Sequence, residues 1–160
     1  MKKAITPGTF DPITYGHLDV IMRASQLFDN VVVAVAASPG KNPLFTLDER
    51  VELARQATAH IENVEVKPFS GLLVDFASEC EATALVKGLR AITDFEYEFQ
   101  MAALNYHLKQ SLETLFIMSP PEYMYLSSSI VRELASLGAS VDDFVPPVVA
   151  EALKQKFANR

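Results

Sequence analysis

The chain has one cysteine, Cys80, in 160 residues. An intrachain disulfide is therefore excluded, and nothing accompanies Cys80 at metal-ligand spacing, so it reads as a buried or half-buried thiol. A long apolar run is also missing. The longest, Val31 to Ala37, is far shorter than the ~20 residues that a membrane-spanning helix needs. Basic charge is in deficit, with 14 Lys and Arg against 20 Asp and Glu and a formal net charge of −6. That balance argues against a general nucleic-acid or anionic-membrane surface, so any anionic ligand has to be met locally. Internal repeats, low-complexity tracts and linkers are absent, and Met1-Lys2-Lys3 leads at once into an apolar run and a Gly/Pro loop, unlike a secretory signal. The expectation is a single cytoplasmic domain, residues 1–160, with no membrane or nucleic-acid partner. At 49% hydrophobic it can bury roughly two thirds of its unfolded surface.

What is present is a regular alternation of short apolar runs and helical patterns. Lys3 to Thr6 predicts a strand, followed by a loop and a helix from about His17 to Phe28. Val31 to Ala37 is β-branched without polar alternation, as a central parallel strand covered on both faces requires. Thr46-Leu47-Asp48-Glu49 reads as a capping box opening a helix to about His60. Val64 to Lys67, Ala84 to Val86 and Thr114 to Met118 predict three more strands. Helices are expected from Leu72 to about Cys80, from Asp94 to about Gln110, from Ser127 onward and from about Pro147. Phe95, Phe99, Ala102 and Tyr106 fall at helical spacing and are expected in the core. The pattern predicts an α/β protein with a doubly wound, five-stranded parallel sheet and helices on both faces, because parallel neighbours need crossovers. Ligands of such sheets bind outside the carboxyl ends of the strands.

The unusual residues follow those strand ends. Thr6 to His17 holds two prolines and two glycines and runs into a helix start, whose free N–H groups suit phosphate. It is neither a Walker loop nor a dinucleotide fingerprint, and a lone His at a helix start, such as His17, is more often a surface or capping residue than a catalyst. Lys41 follows the second strand and Lys87-Gly88-Leu89-Arg90 the fourth. Tyr123 to Ser129 follows the fifth, with Arg132 beyond. Gathered in one crevice, these form an anion clamp. With no Ser/His/Asp ordering and no zinc spacing, phosphoryl-type transfer without a covalent intermediate suits the set, since the protein need only align two anions and stabilise developing charge.

Thr14-x-Gly16-His17 together with Ser127-Ser128-Ser129-x-x-Arg132 resembles the paired signatures of the nucleotidyltransferase superfamily related to class I aminoacyl-tRNA synthetases. Within it the chain is most similar to the phosphopantetheine adenylyltransferases, through Pro7 to Thr14, Ala36 to Lys41, Phe45 to Arg50, Lys87 to Arg90 and Asp94 to Glu98. The resemblance spans essentially the whole chain. It implies a Rossmann-like nucleotidyltransferase fold and adenylyl transfer from ATP to phosphopantetheine, giving dephospho-coenzyme A and pyrophosphate with Mg²⁺, by direct in-line attack on the α-phosphorus. It implies His17, Lys41, Arg90 and Ser128 as catalytic residues. Thr9, Phe10 and His17 would meet the triphosphate, while Gly88, Leu89, Arg90 and Glu98 would hold adenosine and phosphates. Tyr123, Met124, Tyr125, Leu126, Ser127, Ser128 and Ser129 would complete the ATP site. Phosphopantetheine would meet Thr9, Lys41, Leu73, Lys87 and Asn105. The metal ligands are left unknown. The resemblance also implies a homohexamer and feedback inhibition by coenzyme A. Three positions depart from the family pattern: Lys87 stands for Arg, Thr6 for Tyr and Tyr123 for Trp. The first replaces a planar, two-pronged phosphate contact by a point charge.

Overall fold

Strand β1 (Lys3–Gly8) occupies the middle of a five-stranded, all-parallel sheet of order β3-β2-β1-β4-β5. The structure, a computed structural model, describes residues 1–38 and 42–158. The other strands are β2 (Asn30–Ala36), β3 (Val64–Phe69), β4 (Ala84–Leu89) and β5 (Glu113–Met118). Between them run the helices α1 (Tyr15–Leu27), α2 (Leu47–Thr58), α3 (Leu73–Glu79) and α4 (Phe95–Leu108). A 3-10 turn at Pro121–Tyr123 precedes α5 (Ser128–Ser136) and α6 (Pro147–Ala158).

The alternation of side chains in β2 explains the layers. Val33 and Val35 pack with residues of α1, α2 and α6, whereas Val32 and Ala34 pack with Val74, Phe76 and Ala77 of α3. Every residue from Val31 to Val35 is fully buried, as the unbroken apolar run demands. β2 is an interior strand, and the middle position falls to β1. Cys80 is buried in the α3 layer, where loss of water pushes its thiol pKa up.

The order reverses between β1 and β4. β1 leads through α1 to β2 on one side, and β3 leads through α3 to β4 on the other. This is the switch point at which doubly wound sheets open a crevice beyond their carboxyl ends.

One expectation is overturned. Phe95, Phe99 and Tyr106 do not enter the core, and Asn105 is the buried residue of α4. Phe99 is 55% exposed and rests edge-on against Phe116, 5.9 Å between ring centres. Helical spacing assigns residues to one face of a helix but does not say what covers that face. Here α4 and the edge strand β5 leave it open.

Candidate active site

The Thr14-x-Gly16-His17 motif is first of all a helix start. Thr14 is the N-cap of α1 and its hydroxyl accepts from the His17 N–H. His17, at the third helical position, returns the bond, its Nδ1 accepting from the Thr14 N–H at 3.0 Å. This is a capping box with imidazole in the usual place of Glu or Gln. Because Nδ1 is an acceptor, the single ring hydrogen of the neutral imidazole sits on Nε2. Burial, then the nearby positive charge of Arg90, lowers the His17 pKa to about 4. At neutral pH the ring is therefore an uncharged donor locked in one tautomer. Phe10 meets it edge-on at 4.9 Å and adopts a φ of 51°.

Two cavities meet on this ring. One, of about 440 Å³, runs over the β1/β4 gap and is lined by Thr6, Leu73, Lys87, Gly88, Glu98 and Ser119, among others. The second, of about 430 Å³, is lined by Asp11, Asn42, Ser127, Ser128, Ser129 and Arg132. Thr9, Phe10, His17 and Arg90 line both. Residues from the two ends of the chain thus converge on one junction.

The junction is held by polar contacts among its own walls. Ser127 caps α5 by accepting from the Ile130 N–H, and Ser128 Oγ donates to the Pro12 carbonyl at 2.7 Å. Arg132 donates to the Asp11 carbonyl at 2.6 Å and to Ser129 Oγ at 3.3 Å, and it faces the Asp11 carboxylate at 3.6 Å. These bonds dock the N-terminus of α5 onto the opening loop, leaving helix-start N–H groups beside the second cavity. The Arg90 guanidinium donates to the Leu126 carbonyl, and the Ala91 N–H to the Met124 carbonyl. Burial lowers the Arg90 pKa, but a guanidinium stays charged. Gly88 is required by space, since a Cβ there would lie 2.8 Å from Val20 Cγ2 of α1.

Most expected residues are brought together, with informative exceptions. Lys87, expected on the acceptor, and Glu98, expected on the nucleotide, are paired with each other at 3.0 Å. Leu89 lies in the β4–β5 ladder opposite Met118. Gly16 brings α1 close to Tyr123 and Leu126, about 3.8 and 3.6 Å from where its Cβ would be. Tyr125 is 74% exposed. Asn105 is buried on α4 and is not among the residues that line either cavity. Lys41 lies outside the described residues.

Two supporting residues escaped the sequence reading. Arg50 is 1% exposed and donates to the carbonyls of Phe45, Thr9 and Ala36 at 3.2, 2.9 and 2.7 Å. Burial lowers its pKa while Asp11 opposes the shift. The Asp11 carboxylate accepts from the N–H groups of Leu44 and Phe45, both at 2.9 Å. Together they pin Thr9 and the start of α2 to the end of β2. The signal for Arg50 was its place on the buried face of α2, one turn before Ala54.

Comparison with known proteins shows the family and the fold. Residues 5–134 match the cytidylyltransferase-like family. The phosphopantetheine adenylyltransferase of Caldanaerobacter subterraneus subsp. tengcongensis is 54% identical over 157 residues, 98% of each chain. Among solved structures, a protein assigned as a nicotinate-nucleotide adenylyltransferase from Vibrio parahaemolyticus superposes with a TM-score of 0.69 at 19% identity, covering 96% of this chain and 99% of that one. A lipopolysaccharide core biosynthesis protein from Thermoplasma volcanium GSS1 gives a TM-score of 0.53 at 20% identity, covering 75% of this chain and 97% of that one. At such identities the two structures speak for the fold alone.

Proposed function

The chain belongs to the cytidylyltransferase-like family and, within it, to the phosphopantetheine adenylyltransferases, and from that premise we propose that it transfers the adenylyl group of ATP to phosphopantetheine. An oxygen of the acceptor's phosphate forms a bond to the α-phosphorus. The bond from that phosphorus to the α–β bridging oxygen breaks, and its electron pair leaves with pyrophosphate. The products are dephospho-coenzyme A and pyrophosphate. The observation that carries this reading is the meeting of two cavities on one neutral imidazole with its hydrogen on Nε2.

The triphosphate occupies the cavity at the α5 N-terminus, with Arg90 beside it and Tyr123 to Leu126 at the nucleoside. Ser128 acts by docking that helix start on Pro12 and presenting its own N–H. The acceptor lies over the β1/β4 gap, its phosphate near Thr9 and Lys87 and its arm toward Leu73. To Lys41, which lies outside the described residues, we assign the role of bridging the attacking and α-phosphates, on the strength of the family resemblance. His17 donates from Nε2 to a non-bridging oxygen of the α-phosphate, where negative charge grows in the transition state. A neutral donor suits this task because it adds no charge that would hold the product.

Among the described residues no group of three or more His, Cys, Asp or Glu is placed to hold a metal. We assign Mg²⁺ to the phosphates of ATP, as this ion commonly binds. Coenzyme A, sharing the pantetheine arm and the adenine nucleotide with the product, fits as an inhibitor. The open apolar face of α4 and β5 supports a homo-oligomer, for which a hexamer is our assignment. We place the enzyme, as one catalytic domain, in the cytoplasm. The described residues contain no helix long and apolar enough to cross a membrane.

The deciding experiment is pyrophosphate release with a panel of acceptors. Release should need ATP and phosphopantetheine together. Equal turnover with nicotinate mononucleotide would reject the assignment, and ATP binding without pyrophosphate from any acceptor would make the chain a nucleotide-binding regulator.

A further inference from the structure

Lys87 and Glu98 line the same cavity and hold each other there, with side chains 21% and 22% exposed. Lys87 comes from β4 and Glu98 from the first turn of α4, where the helix dipole favours a carboxylate. Among the described residues, the other cations lining the two cavities are fixed to the backbone: Arg90 to the Leu126 carbonyl, and Arg132 to the Asp11 carbonyl. The Lys87–Glu98 pair is different. Both partners end flexible side chains, both reach the cavity, and neither side chain has another hydrogen bond recorded among the described residues. It can open.

The chemistry supplies a reason for opening and closing. The incoming phosphomonoester carries close to two negative charges at pH 7, its second pKa being near ~6. Once adenylylated, the same phosphorus bears a single charge, because one oxygen has become the bridge. Glu98 competes for Lys87 with one charge throughout. We propose that the Lys87–Glu98 pair is a charge-reading latch: Lys87 leaves Glu98 for the phosphomonoester and returns to it when that phosphate has become the singly charged half of a pyrophosphate bridge, easing product release. The inference rests on the adenylyl-transfer reading above and adds to it a device that distinguishes substrate from product at one atom.

Binding to the full chain tests it without turnover. Calorimetry would compare phosphopantetheine, dephospho-coenzyme A and α,β-methylene-ATP on wild type, Lys87→Gln, Glu98→Gln and the double variant. Lys87→Gln should weaken phosphopantetheine by about tenfold and leave dephospho-coenzyme A within about twofold, since the product no longer uses the lysine. Glu98→Gln should tighten dephospho-coenzyme A by about 3- to 10-fold, the scale of a half-buried ion pair. On the Lys87→Gln background, Glu98→Gln should no longer tighten dephospho-coenzyme A, which separates the latch from any general effect on folding. Equal weakening of acceptor and product by Lys87→Gln would overturn the latch. So would a Glu98→Gln variant that loses the ATP analogue while its product affinity stays unchanged. A wild type that turns over normally in either of those cases keeps the function and loses only the latch; one that binds no phosphopantetheine loses both.

Discussion

His17 has two partners to satisfy, and the structure meets both with one ring. Its Nδ1 completes the cap of α1 by accepting from Thr14, which leaves Nε2–H for the cavities. Replacing it by Ala should lower kcat by about two to three powers of ten, the usual loss for one transition-state donor. The fold should survive with a weaker helix start. A kcat near the wild-type value would remove His17 from the mechanism. The same environment makes a pH prediction. The folded ring holds off its proton until pH about 4, against an ordinary value of 6.5, so between those values the unfolded chain binds more protons than the native one. The stability due to His17 is therefore complete above pH 6.5 and is lost as pH falls toward 4. Nitrogen NMR of the ring should show the Nε2–H form throughout pH 5 to 8, and a midpoint near 6.5 would contradict the assigned environment.

At the scale of elements, the site depends on how closely α1 rides on β4. Gly88 leaves no room for a methyl group, because Val20 Cγ2 would stand 2.8 Å away. Gly88→Ala should cost about 1–3 kcal/mol by overpacking, read as a shift in urea midpoint. Val20→Ala in the same chain should return part of it; no rescue would place the strain elsewhere. Elements were also the part most open to reading in advance. The strands and helices announced themselves because apolar runs and capping residues act locally: Thr14, Thr46, Asp94 and Ser127 all accept from N–H groups of the helices they begin. The pairing of Lys87 with Glu98 could not be read in the same way, since it spans a strand end and a helix start. Arg50 was passed over because a charged helical residue is ordinarily solvated. Its burial depends on three carbonyls from separate segments, a coincidence that only the folded chain displays.

For the whole molecule, the doubly wound parallel sheet was legible from the alternation of elements, and with it the convergence of distant loops, whereas the strand order came only with the folded chain. The fate of α4 was not, because a periodic apolar face looks the same whether its cover is this chain or another. Phe95, Tyr97, Phe99, Leu104, Tyr106 and Leu108 are all more than 40% exposed on α4, with Leu115 and Met118 exposed on β5. Phe99→Glu should shift the sedimentation of the native protein toward the monomer, and an unchanged, already monomeric profile in the wild type would refute the assembly. The central claim concerns the two cavities that meet at Thr9, Phe10, His17 and Arg90. On the proposed reading, that arrangement holds both substrates at once and lets one phosphate attack the other directly, with no covalent enzyme intermediate. The stereochemical course at an α-phosphorothioate analogue of ATP tests it most directly: a single in-line displacement predicts inversion at the α-phosphorus, and retention would contradict the account.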